Sequence, residues 1–422
     1  MLQSLELVRC RGPRVRSQAA RLSTLRRESS VTADRSARRP VISLLAVQLL
    51  HGMLSAAGMG FLSIYVTDGL GYATVVAAAI VSVGQATGAI TAIAGGGLND
   101  SAGRRTTLLC GYGCFVVGSL AFSACVPWLI GLLWMVNGVG LTLSSLGGQG
   151  YLIAAGGGVP GGVGLGVWSA LYNWGFTLGG ALGSPVAGYV LDHHGYGLFS
   201  SLVVALAAAA LVLALLLLPR LPNDGGQQAQ RWHETLTGYL RVVGRSGALR
   251  LLALRFLPTC YYGMAVVLVP LLINGATGSK MAVASYRTLN LVLATLSQLV
   301  VGRAADRSGP RQPTVAALSG VVVAAVGLTF TADRLWGLFV FGVLGGAAAW
   351  SLSTLMPSMV SASTPAGEQG RVLGALMLSW NLAMVLSAMV GGALVDAGAG
   401  TPFAIAAVLN VGAITLAVVH FR

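Results

Sequence analysis

The chain has very few charged residues. Only 9% of its 422 residues are Asp, Glu, Lys or Arg, whereas 55% are hydrophobic and the mean hydropathy is +0.78. Soluble domains carry about 25% charged residues, so this chain has too little charge to cover a water-facing surface. The scarcity of charge excludes a soluble globular protein and indicates an integral membrane protein.

Several chemical signatures are missing as well. The five cysteines show no metal-ligand spacing, and the chain has no Gly-rich loop ending in Lys that would cradle nucleotide phosphates. The apolar segments also lack the ten-residue alternation of transmembrane β-strands. We therefore expect an all-helical protein with no metal or other cofactor and no direct use of ATP.

Long apolar segments fill most of the chain. The run 200–219, for example, is long enough to cross a bilayer core of about 30 Å. Helices satisfy every backbone polar group within lipid, so the fold class is predicted to be all-α, with twelve transmembrane helices. The predicted spans are 41–65, 73–96, 106–124, 127–150, 165–190, 198–219, 251–274, 281–302, 312–331, 334–357, 370–394 and 401–420.

One long polar linker divides these spans into two sets of six. The predicted organisation is a tail at 1–40, an N-terminal half at 41–219, a linker at 220–250 and a C-terminal half at 251–422. The tail contains ten arginines. An organelle targeting segment has this composition, and so has a disordered tail attracted to anionic lipid; an overextended start site would also explain it.

The placement of charge predicts the orientation. Most of the 26 Lys and Arg residues lie in the tail, the central linker and the loops after spans two and eight. The opposite loops carry Asp68, Asp192, Asp333 and Asp396. Cytoplasmic loops collect Lys and Arg, so we expect a multi-pass protein of the cell membrane with both termini in the cytoplasm. The net charge of +14 reflects this asymmetry, and we expect no nucleic-acid partner.

The two halves repeat each other. The segment 96–105 after span two matches the segment 302–311 after span eight, so that Gly103 aligns with Gly309 and Arg105 with Arg311. Internal repeats build many transporter folds, and the solute site then lies near the midplane between the repeats.

The segment Gly96-x-Leu98-x-Asp100-x-x-Gly103-Arg104-Arg105 resembles the loop motif between spans two and three of the major facilitator superfamily. The repeat, the basic linker and the segment `GEQGRVLG` before span eleven extend this resemblance over residues 41–420. It implies secondary transport by alternating access and a loop that acts as a conformational latch for the outward-open state. The latch residues would be Gly96, Asp100, Gly103, Arg104, Arg105, Asp306, Arg307, Gly309 and Arg311. A plain loop carrying cytoplasmic arginines is the alternative.

Two departures from the family's pattern weaken an interpretation as a proton antiporter. Many antiporters of the family have an arginine four residues before the Gly-x-Gly of span four, where this chain has Trp134. Span five carries Gly179, Gly183 and Pro185, which only partly match the drug/proton antiporter motif. Close packing of helices through small residues also accounts for these glycines.

Ionisable residues within the spans are candidates for function. No Asp or Glu lies in the middle of a predicted span. His51 could take up a coupling proton or have a structural role. Arg287 could bind an organic anion, or its side chain could extend to the outer interface. Arg255 is expected to extend to the cytoplasmic interface. The candidates for the solute cavity include His51, Arg287 and the polar and aromatic residues of the spans expected to line it. They are Gln48, His51, Gln85, Asn137, Tyr172, Asn173, Trp174, Tyr261, Tyr262, Arg287, Asn290, Trp350, Trp380 and Asn381.

These features predict a secondary transporter of a small organic solute. An organic anion is favoured because the expected cavity contains Arg287 and His51 but no Asp or Glu. Export of hydrophobic or drug-like compounds is the alternative. A polytopic enzyme or a non-transporting sensor is a remote one, because Asp192-His193-His194 on one short turn would make a poor metal site. The expected partners are the solute, a coupling proton and the bilayer, and the protein is expected to be a monomer.

Overall fold

The computed structural model describes residues 39–55, 58–156, 165–221, 246–363 and 369–420. Within these ranges every regular element is helical, as the composition predicts. The predicted tail and most of the predicted linker lie outside the described residues.

The N-terminal half consists of six helices. The first, α1, runs over Arg39–Gly69 with residues 56–57 outside the description, and ends in a π-helical turn at Tyr65–Gly69. The others are α2 (Thr74–Ser101), α3 (Arg104–Ser119, followed by a 3₁₀ turn at Leu120–Ser123), α4 (Pro127–Gly156), α5 (165–194) and α6 (196–217).

The C-terminal half also consists of six helices. They are α7 (Ser246–Thr277), α8 (Lys280–Ser308), α9 (Arg311–Thr331), α10 (Leu335–Ser363), α11 (Gln369–Leu394) and α12 (Thr401–His420). A short 3₁₀ turn at Val395–Ala397 separates the last two.

The described residues contain twelve spans, although α5 and α6 form one continuous run. Eleven helices are long and apolar enough to cross a bilayer, and one of them is the run Leu165–Leu217. Gly195 breaks this run because its backbone is non-helical, with φ 72° and ψ −173°. L-residues rarely adopt this conformation, so glycine allows the chain to reverse between the two spans.

The internal repeat appears in the backbone at the two loops that carry the repeated motif, 96–105 and 302–311. Gly103 ends the turn between α2 and α3 with φ 93°, and Gly309 ends the turn between α8 and α9 with φ 77°. Both positions use a conformation that favours glycine. The sequence alignment of the two halves therefore corresponds to equal local geometry.

The bundle has two chemically different ends. We call the end that carries Asp68, Asp192 and Lys280 the acidic end, and the end that carries Arg105 and Arg303 the basic end. Among the helices whose contacts are described, the most extensive contacts between the halves join α5 with α8 and α2 with α11.

Among the described residues, the hydrogen bonds between the halves run from the acidic end to the middle of the bundle. Near the middle, Thr295 Oγ1 donates to Thr177 Oγ1 at 2.8 Å and Thr288 Oγ1 donates to the Ala181 carbonyl at 3.1 Å. In the other pair, Ser82 Oγ donates to the Val385 carbonyl at 3.2 Å. This distribution indicates that the two halves are joined at the acidic end.

Candidate functional site

A pocket lies inside the C-terminal half, between α7, α10 and α11. Its volume is about 440 Å³, counting the space at its open side. The lining residues combine one charge with aromatic and small polar side chains; they are Arg255, Pro258, Thr259, Tyr262, Ala349, Trp350, Leu352, Ser353, Met356 and Trp380. Such a mixture of apolar walls and a few polar groups is typical of small-molecule sites.

Helix periodicity explains how α7 contributes to the pocket. Arg255, Thr259 and Tyr262 are spaced by four and three residues and therefore share one face of the helix. The Thr259 hydroxyl donates to the Arg255 carbonyl at 2.7 Å. Pro258 has no N–H and cannot donate to the carbonyl four residues earlier, so this part of α7 has a weakened backbone ladder beside the pocket.

Arg255 does not follow the expectation that it extends to the interface. Its guanidinium lies over the ring of Trp380, with the Cζ atom 5.9 Å from the ring centroid. This distance is within the range of a cation–π interaction. Among the described residues, no carboxylate lies within ion-pair distance of Arg255. The ion pair found among these residues joins Lys280 and Asp68. The charge therefore remains available to an anion.

The aromatic wall of the pocket reaches the other half of the protein. Tyr262 meets Trp350 edge to face, with ring centroids 6.1 Å apart, and Trp350 contacts Phe176 of α5 at 6.4 Å. The Trp350 Nε1 atom is buried and lies near the Tyr262 hydroxyl, but the two groups do not meet the geometry of a hydrogen bond. A buried donor without a partner is costly, so this N–H is a candidate contact for a solute.

Arg287 lies on α8 close to the hydroxyls of Tyr262 and Tyr286. Its Nε atom is buried without a hydrogen-bond partner in the described residues. The guanidinium packs directly on the backbone of Gly60 in α1, where a Cβ atom would overlap it. Arg287 is thus a second half-buried cation, at the boundary between the halves, and Tyr262 lies between it and Arg255.

Of the fourteen cavity candidates, the pocket contains Tyr262, Trp350 and Trp380, and Arg287 adjoins it. Tyr261 points the other way, and its hydroxyl donates to the Phe341 carbonyl at 3.4 Å within the C-terminal half. Asn290 donates to the Gly342 carbonyl at 3.3 Å, and Asn381 donates to the carbonyl of Met377 in its own helix at 3.0 Å.

The candidates of the N-terminal half lie elsewhere. His51 is buried between the rings of Tyr112, Phe115 and Phe176, at centroid distances of 4.8–5.6 Å, and its Nδ1 atom is 3.3 Å from the Gln48 Oε1 atom. The remaining positions differ in burial: Gln85 and Tyr172 are buried, Asn137 lines a small cavity beside Trp134, Trp174 is half-buried and Asn173 is exposed.

The glycines of span five pack against α1. Cβ atoms at Gly179 or Gly183 would overlap the α1 backbone at Leu49 and Met53. Trp134, which stands where antiporters of the family often have arginine, is 5% exposed and packs on Gly84. Close packing accounts for all three positions.

The latch loops are described only in part. Arg105 donates through Nε to the Leu218 carbonyl at 2.6 Å and through Nη2 to the Leu215 carbonyl at 3.0 Å, at the end of α6. A cation at a helix C-terminus is favourable. Gly96 lies in α2, Arg104 begins α3, Arg307 and Arg311 are exposed, and the side chains of Asp100 and Asp306 lie outside the description.

The sequence alone missed several residues of the pocket. Thr259, Ser353 and Met356 are ordinary members of apolar spans, and Phe176 carries no polar group. A usable signal exists in α7, where Arg255, Thr259 and Tyr262 follow a helical period. The corresponding set in α10 is too apolar to differ from a packing face.

Comparisons with known proteins agree with this architecture. A family model described as Major Facilitator Superfamily matches residues 44–333 and 251–422. No curated protein sequence matches the chain.

Solved structures of transporters share the fold at low sequence identity. A POT family transporter in complex with 5-aminolevulinic acid has a TM-score of 0.72 and 13% identity, covering 90% of this chain and 95% of that one. The nucleoside transporter NupG, as a mutant, has a TM-score of 0.73 and 14% identity, covering 90% and 100%. A mutant of the peptide transporter POT in complex with sulfate has a TM-score of 0.72 and 15% identity, covering 90% and 93%.

The family match extends over both six-helix halves, and the two halves carry the repeated glycine turns and meet along two helix pairs. The chain therefore belongs to the Major Facilitator Superfamily and is a secondary transporter, not an enzyme.

Proposed function

We propose that this transporter carries a small organic anion through the pocket of its C-terminal half. The observation that supports the proposal is the position of Arg255, a partly buried cation that lies against Trp380 without an acidic partner among the described residues. A guanidinium in such a site binds carboxylate or phosphate through two parallel hydrogen bonds.

Arg287 supports the same class of solute. Its buried Nε atom has no partner in the described structure, and the site lies one aromatic ring away from the Arg255 pocket. A cationic solute would meet two uncompensated positive charges here. The Trp350 and Tyr262 rings add apolar walls, so the solute that fits best is an anion with an apolar part.

The proposal includes an orientation. The acidic end faces outward and the basic end faces the cytoplasm, as the placement of arginines indicates. The described inter-half hydrogen bonds then correspond to an inward-facing state of alternating access. We propose His51 as the carrier of a coupling proton, because its Nε2 atom is buried and has no hydrogen-bond partner among the described residues.

Export of hydrophobic compounds remains a second candidate, because four of the ten lining positions are the aromatic or proline residues Tyr262, Trp350, Trp380 and Pro258. A hydrophobic compound would pack against the aromatic rings and would make no ionic contact with Arg255. The two functions therefore differ in their dependence on the arginines.

Ligand-induced thermal stabilisation of the purified protein separates these functions. Carboxylates would be compared with their neutral carboxamides and with hydrophobic cations of similar size. A ligand at about 100 times its Kd adds about 2.7 kcal/mol to the stability of the bound state. We expect stabilisation by carboxylates only, and a loss of affinity of about 10- to 100-fold in Arg255→Ala and in Arg287→Ala, since a hydrogen bond to a charged group contributes about 1.5–3 kcal/mol.

Arg303→Ala is the matched control, because Arg303 is an exposed arginine of α8 at the basic end. Its response to every ligand should equal that of the parent. Equal stabilisation of the parent by carboxylate and carboxamide, retained in both pocket variants, would refute the anion proposal.

A further inference from the structure

The acidic end of the bundle is closed by the first turn of α8, which docks on two aspartates of the other half. Ser279 caps this helix in the usual way, since its Oγ atom accepts a hydrogen bond from the Ala282 N–H at 3.2 Å. The preceding N–H groups of the helix have no partner within α8, as in any helix N-terminus.

Asp192 of α5 supplies those partners from the N-terminal half. Its Oδ1 atom accepts from the Lys280 N–H at 2.7 Å, and its Oδ2 atom accepts from the Met281 N–H at 2.8 Å and from the Ser279 hydroxyl at 2.9 Å. Hydrogen bonds to a carboxylate are short and strong compared with neutral ones, and a negative charge at a helix N-terminus is favourable. Asp192 thus completes the cap of a helix that belongs to the opposite half.

A second contact fixes the same turn. The Lys280 Nζ atom lies 2.6 Å from the Asp68 Oδ2 atom, at the end of α1. Lys280 is 15% exposed and Asp68 is 43% exposed, so water screens this ion pair in part. Asp192 is exposed as well, and its contact is the more extensive of the two because it consists of three hydrogen bonds.

The backbones approach closely below this turn. A Cβ atom at Gly188 of α5 would overlap the Ala284 side chain, and one at Gly392 of α11 would overlap the Ala78 side chain of α2. The two helix pairs that join the halves are therefore tight at the acidic end, and the polar contacts of Asp192 lie at their outermost point.

We propose that Asp192 is the gate residue of the acidic end, and that the carrier opens there by withdrawing the first turn of α8 from this carboxylate. Alternating access requires the halves to separate at this end, and every hydrogen bond of Asp192 to α8 crosses the boundary between them. The carboxylate and the freed N–H groups are exposed enough to bind water once separated, so opening leaves no buried polar group unsatisfied.

The inference depends on the transporter fold and not on the identity of the solute. The experiment that tests it uses no solute. Its result can therefore be interpreted even if the anion proposal is wrong.

Distances between paired spin labels, one in each half, measure the state of both ends. The acidic end would be labelled through Tyr72→Cys and Leu335→Cys, and the basic end through Leu216→Cys and Arg303→Cys, in a background whose native cysteines are replaced by serine. All four positions are exposed. The parent, Asp192→Asn and Asp396→Asn would be compared; Asp396 is an exposed aspartate of the acidic end within the C-terminal half.

Asp192→Asn keeps the size of the side chain and removes its charge. We expect it to shift the acidic-end distances to longer values and the basic-end distances to shorter ones, while Asp396→Asn leaves both as in the parent. Unchanged distances in Asp192→Asn would overturn the proposal. Longer distances at both ends would also overturn it, because they would indicate loosening of the bundle instead of rocking between two states.

Discussion

At the scale of single residues, the contact of Arg255 with Trp380 is central to the proposed anion site. The guanidinium lies over the ring instead of extending toward the headgroups, and the described residues offer it no carboxylate. In the proposed site Trp380 is a positioning residue, because its ring packs against the Arg255 guanidinium without neutralising the charge.

Replacing Trp380 with alanine should weaken binding of an anion. A cation–π contact contributes about 0.5–2 kcal/mol, so the Kd measured by thermal stabilisation should rise about 2- to 30-fold. Trp380→Phe keeps a ring and should recover part of this loss. Trp128→Ala is the control, since Trp128 is 71% exposed in α4 and remote from the pocket; an equal effect in Trp128→Ala would contradict the role of Trp380.

The sequence predicts only part of this site, for a physical reason. Tyr262, Trp350 and Trp380 line the pocket, whereas Tyr261, next to Tyr262, packs into the C-terminal half. In a soluble helix, the apolar stripe shows which face is buried. In a span, both the lipid-facing and the packed faces are apolar, so the rotation of each helix, and hence the direction of its polar side chains, is not apparent from the pattern.

At the scale of helices, the turn between α5 and α6 depends on one glycine. Gly195 has φ 72° and ψ −173°, while a Cβ atom at this position would meet no neighbour within 4 Å. A substitution there introduces backbone strain without a steric clash, which makes the position a direct probe of the turn.

Gly195→Ala should lower the free energy of unfolding by about 1–3 kcal/mol, the usual cost of a non-glycine residue in this region. Gly197→Ala is a matched control, because a Cβ atom at Gly197 also has free space and its φ is not positive. Thermal unfolding in detergent measures both. A fall in Tm for Gly195→Ala that Gly197→Ala matches would exclude backbone strain as the cause.

The helices themselves were largely predictable from hydropathy. Span length, the twelve spans and the repeated turns at Gly103 and Gly309 follow from apolar runs and glycine spacing. The docking of α8 on Asp192 could not be predicted in this way, because the sequence shows Asp192 only as an acidic residue in an outer loop. A contact between halves depends on how the helices are arranged in space, which no local pattern encodes.

At the scale of the whole molecule, the closed acidic end should tolerate mild acid. Burial alone would raise the pKa of Asp192, but the hydrogen bonds from Met281, Lys280 and Ser279 and the charge of Lys280 outweigh it, so that the pKa lies below its usual range. A carboxylate with a lowered pKa stabilises the closed state above its ordinary pKa, and this contribution is lost as the pH falls through the lowered value.

The acidic-end label distances should therefore stay constant from about pH 8 to pH 5 and lengthen only below about pH 4. The other charged or titratable groups at this contact are Asp68, Lys280, His193, His194 and Tyr196. The double variant His193→Gln and His194→Gln removes the two histidines that follow Asp192 in the chain. An opening between pH 7 and pH 5 that persists in this variant would contradict the assignment to Asp192.

The pocket belongs to one half of the protein. All of its lining residues lie on α7, α10 and α11, and the N-terminal half contributes the neighbouring ring of Phe176. When the halves rock, a bound solute stays with its binding groups while the barrier passes from one side of it to the other. Its affinity should then be nearly the same from either face of the membrane. Whatever its affinities, a carrier without a coupled process only equilibrates its solute. Accumulation against a gradient would have to come from a co-transported or exchanged ion, or from consumption of the solute after it arrives.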